Sequence, residues 1–382
     1  MSAHDPLAGR QILVLSSVEW NAAWQRHQIF AVQWAAAGHE VYFVENTGFR
    51  APSLRDAARV GRKLAGLARG KHKTLAPVPK GIHVVNPAVL PPTGPLRRVN
   101  EHLFLPRLSA KLHRLGLKPG AVAIAYLPTV TTLGLLDLLK PAVTVYDCVD
   151  NFHGHPAKPR DLAKTENELM RRSSLVATTS STLRDDKQPH HANVIQFHHG
   201  VASDFFLGGT PRPYYRRFCY FGTLRGEIDY APIKALAEAG FSVELIGPVR
   251  HTPPPLPKTV TLRGAVTPEQ LAKSLNHFDA LILPYVNDEY NRGILPAKIY
   301  ECLATGKPVL ASPLPALADF HEHLYLCRTP TEWVETAKAL PDTESPTRRA
   351  ARVRLAAEHT HEKAFARLKS AISSCLPHSH GR

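Results

Sequence analysis

Lys298 and Glu301 stand three residues apart in PAKIYECLATGKPVLAS, residues 296–312 of a 382-residue chain. An ammonium there offers a hold on an anion, and a carboxylate offers acceptors to hydroxyl groups. The plainer alternative is a surface ion pair worth a few tenths of a kcal/mol. Pro296 suits a first helical position, and Gly306 and Pro308 end the helix before Val309 and Leu310 open a buried strand. At about 100° per residue, Leu295, Ile299, Cys302 and Leu303 fall on one side and Lys298, Glu301 and Thr305 on another. One face packs and the other is free. A second pair of acids, Asp147 and Asp150 in YDCVDNFHGH, closes an apolar strand. A carboxylate at such a place is suited to take a proton from a hydroxyl, or else caps the next helix or shapes a turn.

These side chains must be positioned by the elements around them. Apolar β-rich runs at 12–17, 41–46, 82–86, 122–127, 143–147, 175–180 and 193–197 alternate with stretches long enough for helices. Runs apolar on both faces that alternate with helices predict a parallel sheet covered on each side. The segment LGGTPRPYYRR, residues 207–217, has no apolar period and reads as a linker. The alternation then restarts at 218–222, 243–247, 260–264, 280–285 and 308–312. The expected division is therefore a first domain at 1–207, a linker at 208–217, a second domain at 218–355, and a helix and tail at 356–382. TRRAARVRLAAEHTHEKAFARLKSAIS reads as one long helical pattern crossing back to the first domain. Two such units are expected to face a central cleft, where open α/β sheets bind ligands.

Composition narrows the class. Hydrophobic residues make up 44% and charged residues 21%, as in an ordinary soluble domain. Five scattered cysteines without a C-x-x-C pair suit a reducing compartment. MSAHDPLAGRQ lacks the order of a signal peptide, and no run of 18 apolar residues occurs. The net charge of +15 is concentrated: residues 51–120 hold fourteen Lys and Arg against Asp56 and Glu101. Within them SLRDAARVGRKLAGLAR is a basic amphipathic pattern, so region 51–118 is expected to lie on an anionic membrane. No G-x-G-x-x-G follows the first strand, no P-loop, HExxH, EF-hand or nucleophile elbow is present, and the histidine pairs give no ligand frame. No metal is expected.

The ordered features YFGTL, VELIGP, VTLRGAVTPEQLAKSLNHFDALILPY and PAKIYECLATGKPVLAS resemble the donor domain of GT-B fold glycosyltransferases, family 4-like enzymes of bacterial surface polysaccharide assembly. WQRHQIFAVQWAAAGHEVYFVEN, VYDCVDNF, LVATTSSTLRDD and HHGVASDFF extend the resemblance over nearly the whole chain. It implies a cytoplasmic enzyme, peripheral to the inner face of the membrane, that moves a sugar from a nucleotide diphosphate donor, most readily a UDP-sugar, to a glycan or lipid-linked acceptor without a cofactor. Lys298 would hold the diphosphate, Glu301 the ribose diol, Gly222 would allow close approach, and Arg225 would neutralise the leaving group. Asp150, with Asp147 second, would be the base of an inverting transfer, and Arg26 and Gln28 would shape the acceptor pocket. The chain departs from the family where many members carry a first glutamate: that place holds Gly293. The rival readings are a nucleotide-sugar epimerase of the same fold and a non-enzymatic polyanion-binding protein. Specific nucleic-acid binding is not expected, since no aromatic interleaving or DNA-reading element accompanies the charge.

Overall fold

The computed structural model describes residues 6–49, 77–90, 94, 96–208 and 214–376. The basic pattern at 54–67 and residues 209–213 of the expected linker lie outside them. The chain divides into two compact units, Met1–Phe197 with Phe365–Arg382, and His198–Ala364.

In the first unit the described strands are β1 (Ile12–Leu15), β2 (Val41–Val44), β3 (Ile82–Val85), β4 (Val122–Ala125), β5 (Val143–Cys148), β6 (Leu175–Thr178) and β7 (Val194–Gln196). They pair in parallel in the order β3-β2-β1-β4-β5-β6-β7. β1, β2, β4, β5 and β6 are buried along their whole length, which is why they read as unbroken apolar runs rather than alternating ones. Phe365 of the last helix, His361–Ser374, closes on Trp34 and Phe30 of the first helix, Arg26–Ala36, at ring-centre distances of 4.7 and 6.2 Å.

The second unit repeats the plan. β8 (Arg217–Phe221), β9 (Ser242–Ile246), β10 (Val260–Arg263), β11 (Ala280–Leu283), β12 (Val309–Ala311) and β13 (Tyr325–Leu326) form a parallel sheet in the order β10-β9-β8-β11-β12-β13. Each sheet reverses its direction of growth once, between β1 and β4 and between β8 and β11. Open α/β sheets take ligands at the carboxyl ends of the strands at such a reversal.

Three features differ from the sequence reading. Residues 198–207 belong with the second unit, where Val201 pairs with Thr360 and Phe205 stacks on Phe221. The expected long terminal helix is two helices, Pro346–Ala357 and His361–Ser374. The break comes where Val201 N–H bonds the His359 carbonyl and His361 N–H bonds the Val201 carbonyl, so a strand-like bridge replaces one helical turn. β13, two half-buried residues long, carries too short a pattern to be seen in sequence.

Candidate functional site

β8 ends at Phe221, and the chain passes through Gly222 at φ +128°, a conformation that excludes ordinary side chains. Directly beneath lies Lys298. A Cβ on residue 222 would stand 2.2 Å from the Lys298 amine. The neighbouring strand ends in the same way: Gly247 follows β9 at φ +146°, and a Cβ there would stand 2.1 Å from the Gly222 carbonyl oxygen. Two glycines side by side thus let backbone and ammonium share one spot at the reversal of the sheet.

Lys298 is held from below. Its ammonium donates to the Tyr220 hydroxyl at 3.0 Å and lies 4.2 Å from the centre of the same ring, with Phe221 and Tyr285 each 5.8 Å away. Burial opposes its charge, but the oxygens of Tyr220 and Tyr285 outweigh this and raise the lysine above its ordinary range, so it is an ammonium at neutral pH. The helix is shorter than the sequence suggests, Ile299–Ala304, and Lys298 is its N-cap residue rather than part of its first turn. Pro296 does not open it; the Ile299 N–H instead closes a turn onto the Pro296 carbonyl. The apolar side is as expected, with Leu295, Ile299, Cys302 and Leu303 no more than 1% exposed.

Glu301 stands in the first turn of this helix, half-buried. No described residue forms an ion pair with it within 4 Å, Lys298 included, which sets aside the plain surface pair. Burial pushes its carboxyl up to about 7, against a smaller downward pull from Lys298. A folded-state value above the unfolded one means that the folded chain holds the proton more tightly. Stability from this group is therefore complete below about pH 4.5 and is lost as pH climbs to about 7. Glu301→Gln should remove that slope, and urea unfolding at pH 5.5 and 8.5 should show the variant gaining relative to the parent only at the higher pH. A slope unchanged in the variant would locate the titration elsewhere.

The far end of this helix is fixed by a fully buried arginine. Arg352 donates through Nε and Nη2 to the Gly306 carbonyl at 3.1 and 3.0 Å, and through Nη1 to Glu344 at 2.9 Å. Arg352→Leu leaves Glu344 charged and without this partner, so a loss of about 3–5 kcal/mol is expected in chemical denaturation. Sequence reading missed Arg352, which looks like one more surface arginine in RRAARVR, and it missed Tyr220 and Tyr285, which look like core. Arg225 is exposed in the loop after Gly222, and no described residue holds its guanidinium.

In the first unit the reversal between β1 and β4 is filled by polar side chains already engaged with each other. Arg26 is 5% exposed and Asp147 0%, and they pair at 2.8 Å. Arg26 also donates to the Phe197 carbonyl at 3.2 Å and stacks on the Phe197 ring at 3.7 Å. Burial pushes the Asp147 carboxyl up while Arg26 pulls it back. Asp147 is thus a buried pairing group and cannot present itself to a substrate, contrary to the sequence reading. Arg26 and Gln28 do not shape an open pocket either. Gln28 is 0% exposed and caps its own helix: its Oε1 accepts from Gln25 N–H at 3.1 Å and its Nε2 donates to the Glu19 carbonyl. His27 bonds Ser17 at 2.9 Å and lies over Tyr126 with ring centres 3.8 Å apart; burial, then Arg26, push it down to about 3. Asp150 is half-buried in the turn that follows β5.

Comparison with solved structures decides the fold. Sucrose-phosphate synthase from Thermosynechococcus elongatus superposes with a TM-score of 0.67 at 14% identity, covering 94% of this chain and 98% of that one. HepE of Anabaena, solved with UDP and glucose, gives 0.66 at 14% identity, covering 96% and 100%. The chain has the GT-B fold. At such identities the likeness is one of fold. Residues 231–370 match the family described as glycosyl transferase-like, so a glycosyltransferase-like segment includes Lys298 and Glu301. TuaH of Bacillus subtilis (strain 168), assigned to teichuronic acid biosynthesis as a glycosyltransferase, is 36% identical over 53 residues, 14% of this chain and 13% of its own length. Among the described residues no group of three or more His, Cys, Asp or Glu is arranged to hold a metal ion.

Proposed function

We propose that the chain is a nucleotide-sugar-dependent glycosyltransferase of the hexosyltransferase type. It would move a sugar from a UDP-sugar or similar donor to a glycan or lipid-linked acceptor in surface polysaccharide assembly. One observation carries the reading: at the reversal of the second sheet an ammonium is held under a side-chain-free strand end, with a carboxylate one helical turn away that no described residue pairs with. The diphosphate suits Lys298 and the amides after Gly222. The ribose diol suits Glu301, and Arg225, in the loop beyond, is free to reach a departing phosphate. The relatives' names support this direction, since HepE was solved with UDP and glucose and TuaH is assigned to teichuronic acid biosynthesis.

Calorimetric titration with UDP-, GDP- and dTDP-sugars tests the proposal. One series should bind, and Glu301→Ala should weaken it about 10-fold or more, as expected for a lost charged hydrogen bond. Affinity should also rise with pH across about 7, as Glu301 ionises. Binding of none of the series by the folded protein would overturn the reading, and sugar inversion without acceptor-dependent nucleotide release would favour the epimerase.

No helix of the described residues is long and apolar enough to cross a membrane. The basic excess of region 51–118 supports peripheral attachment to the inner membrane face from the cytoplasm. Phosphatidylglycerol vesicles should then retain the protein at low salt and release it at high salt; indifference to them would remove this part of the proposal.

A further inference from the structure

The loop that joins β1 to the first helix, residues 16–25, leaves one large ring in water. Trp24 is 45% exposed, whereas Trp20, Trp34 and Trp333, the chain's other tryptophans, are no more than 2% exposed. Among the described residues of the first unit no other tryptophan, tyrosine or phenylalanine is exposed.

The ring is held in place. Trp20 crosses it edge to face at 63°, with ring centres 5.8 Å apart, and Trp20 is itself seated against Phe43 of β2 at 5.1 Å. Trp20 N–H donates to Glu45 Oε1 at 2.8 Å, and Asn86 Nδ2 donates to Glu45 Oε2 at 2.7 Å, so the ends of β2 and β3 brace the loop. From the other side Gln28 Nε2 and the Ala22 N–H both donate to the Glu19 carbonyl, at 3.1 and 3.0 Å. An aromatic ring fixed before binding loses little entropy when a partner arrives.

Position and surroundings narrow the partner. The loop stands at the carboxyl end of β1, beside the reversal between β1 and β4, where open α/β sheets take ligands. The reversal itself is filled by the Arg26–Asp147 pair, so a ligand has to rest on the loop instead. From Ile12 to Gln25 the only charge is Glu19, and the next residue, Arg26, is 5% exposed and spent on Asp147. A phosphate or an anionic lipid surface finds no counter-charge on this loop. Its other exposed polar side chains, Glu19, Asn21 and Gln25, are hydrogen-bonding groups suited to hydroxyls. A neutral partner with a flat apolar side and a rim of hydroxyls satisfies both the ring and the loop. A pyranose has this form, and the C–H bonds of its flat side meet the negative face of an indole.

We propose that Trp24 is the stacking platform of a carbohydrate site in the first unit, taking a neutral pyranose ring of a glycan. The site goes beyond the glycosyltransferase reading and stands or falls without it, since binding here involves the first unit alone.

Because Trp24 is the exposed member of four tryptophans, the intrinsic fluorescence of the full chain reads this ring. Methyl glycosides of glucose, galactose, mannose, N-acetylglucosamine and rhamnose would be titrated to about 50 mM, enough to fill a site of millimolar Kd, with sorbitol as the open-chain control. At least one glycoside should move the emission to shorter wavelength and protect it from acrylamide, and sorbitol should do neither. Trp24→Leu should weaken that glycoside about 10-fold or more in saturation-transfer NMR, with thermal melting unchanged. Trp24→Phe, which keeps a smaller flat face, should lose less. The proposal is overturned if none of the glycosides moves the emission, if sorbitol moves it equally, or if Trp24→Leu binds within about 3-fold of the parent. It is overturned as well if phosphatidylglycerol vesicles, or protein concentration alone, shift the emission and the glycosides do not, which would make the ring a membrane contact or a contact between copies.

Discussion

Lys298→Met should lower affinity for UDP about 100- to 1,000-fold while the protein stays folded. The ammonium lies directly beneath Gly222, and a methionine of similar length fills its space without the charge. Removing one partner of a buried, hydrogen-bonded charge pair costs about 2–5 kcal/mol, or about 30- to 5,000-fold, and the expected loss lies in the middle of that span. Tyr220 loses the donor to its hydroxyl, so a modest fall in melting temperature accompanies the change. Lys298→Arg should not restore binding: a planar guanidinium is too large for a place where the amine already lies 4.2 Å from the Tyr220 ring centre and directly under Gly222. UDP affinity within about 3-fold of the parent in Lys298→Met would show that the diphosphate is bound elsewhere.

Gly222→Ala should be nearly as damaging through a single methyl group. At φ +128° an alanine is strained by about 1–3 kcal/mol. Its Cβ would also stand 2.2 Å from the lysine amine, so the ammonium must leave its seat on Tyr220. We expect a melting temperature lower by several degrees and no measurable UDP binding at concentrations that saturate the parent. Gly247→Ala should behave alike, because its methyl would meet the Gly222 carbonyl at 2.1 Å. Normal binding by either variant would show that the strand ends relax more readily than close-packed backbone allows.

The two sheets, the positions of nearly all their strands and the helix before β12 were legible in the sequence. Burial on both faces writes itself as short apolar runs, and helix ends carry Pro and Gly, so these are local signals. Lys298 and Glu301 could be picked out because they lie on one short helix. The sites of Gly222 and Arg225 came from resemblance, not from periodicity.

What the tertiary structure alone decided is which polar groups spend their charge on each other. Arg26 and Asp147 are 121 residues apart, and Lys298 and Tyr220 are 78 apart. Nothing in either neighbourhood of the chain says that Asp147 is buried against a guanidinium, or that the Lys298 amine rests on a tyrosine rather than on Glu301. The same holds for His153, which reads as one loop histidine among several until Glu166 is found beneath it. Local periodicity determines which faces are apolar. The pairing of charges depends on distances that exist only once the sheets have formed, because desolvation then makes each buried ion seek the partner that folding has brought within reach.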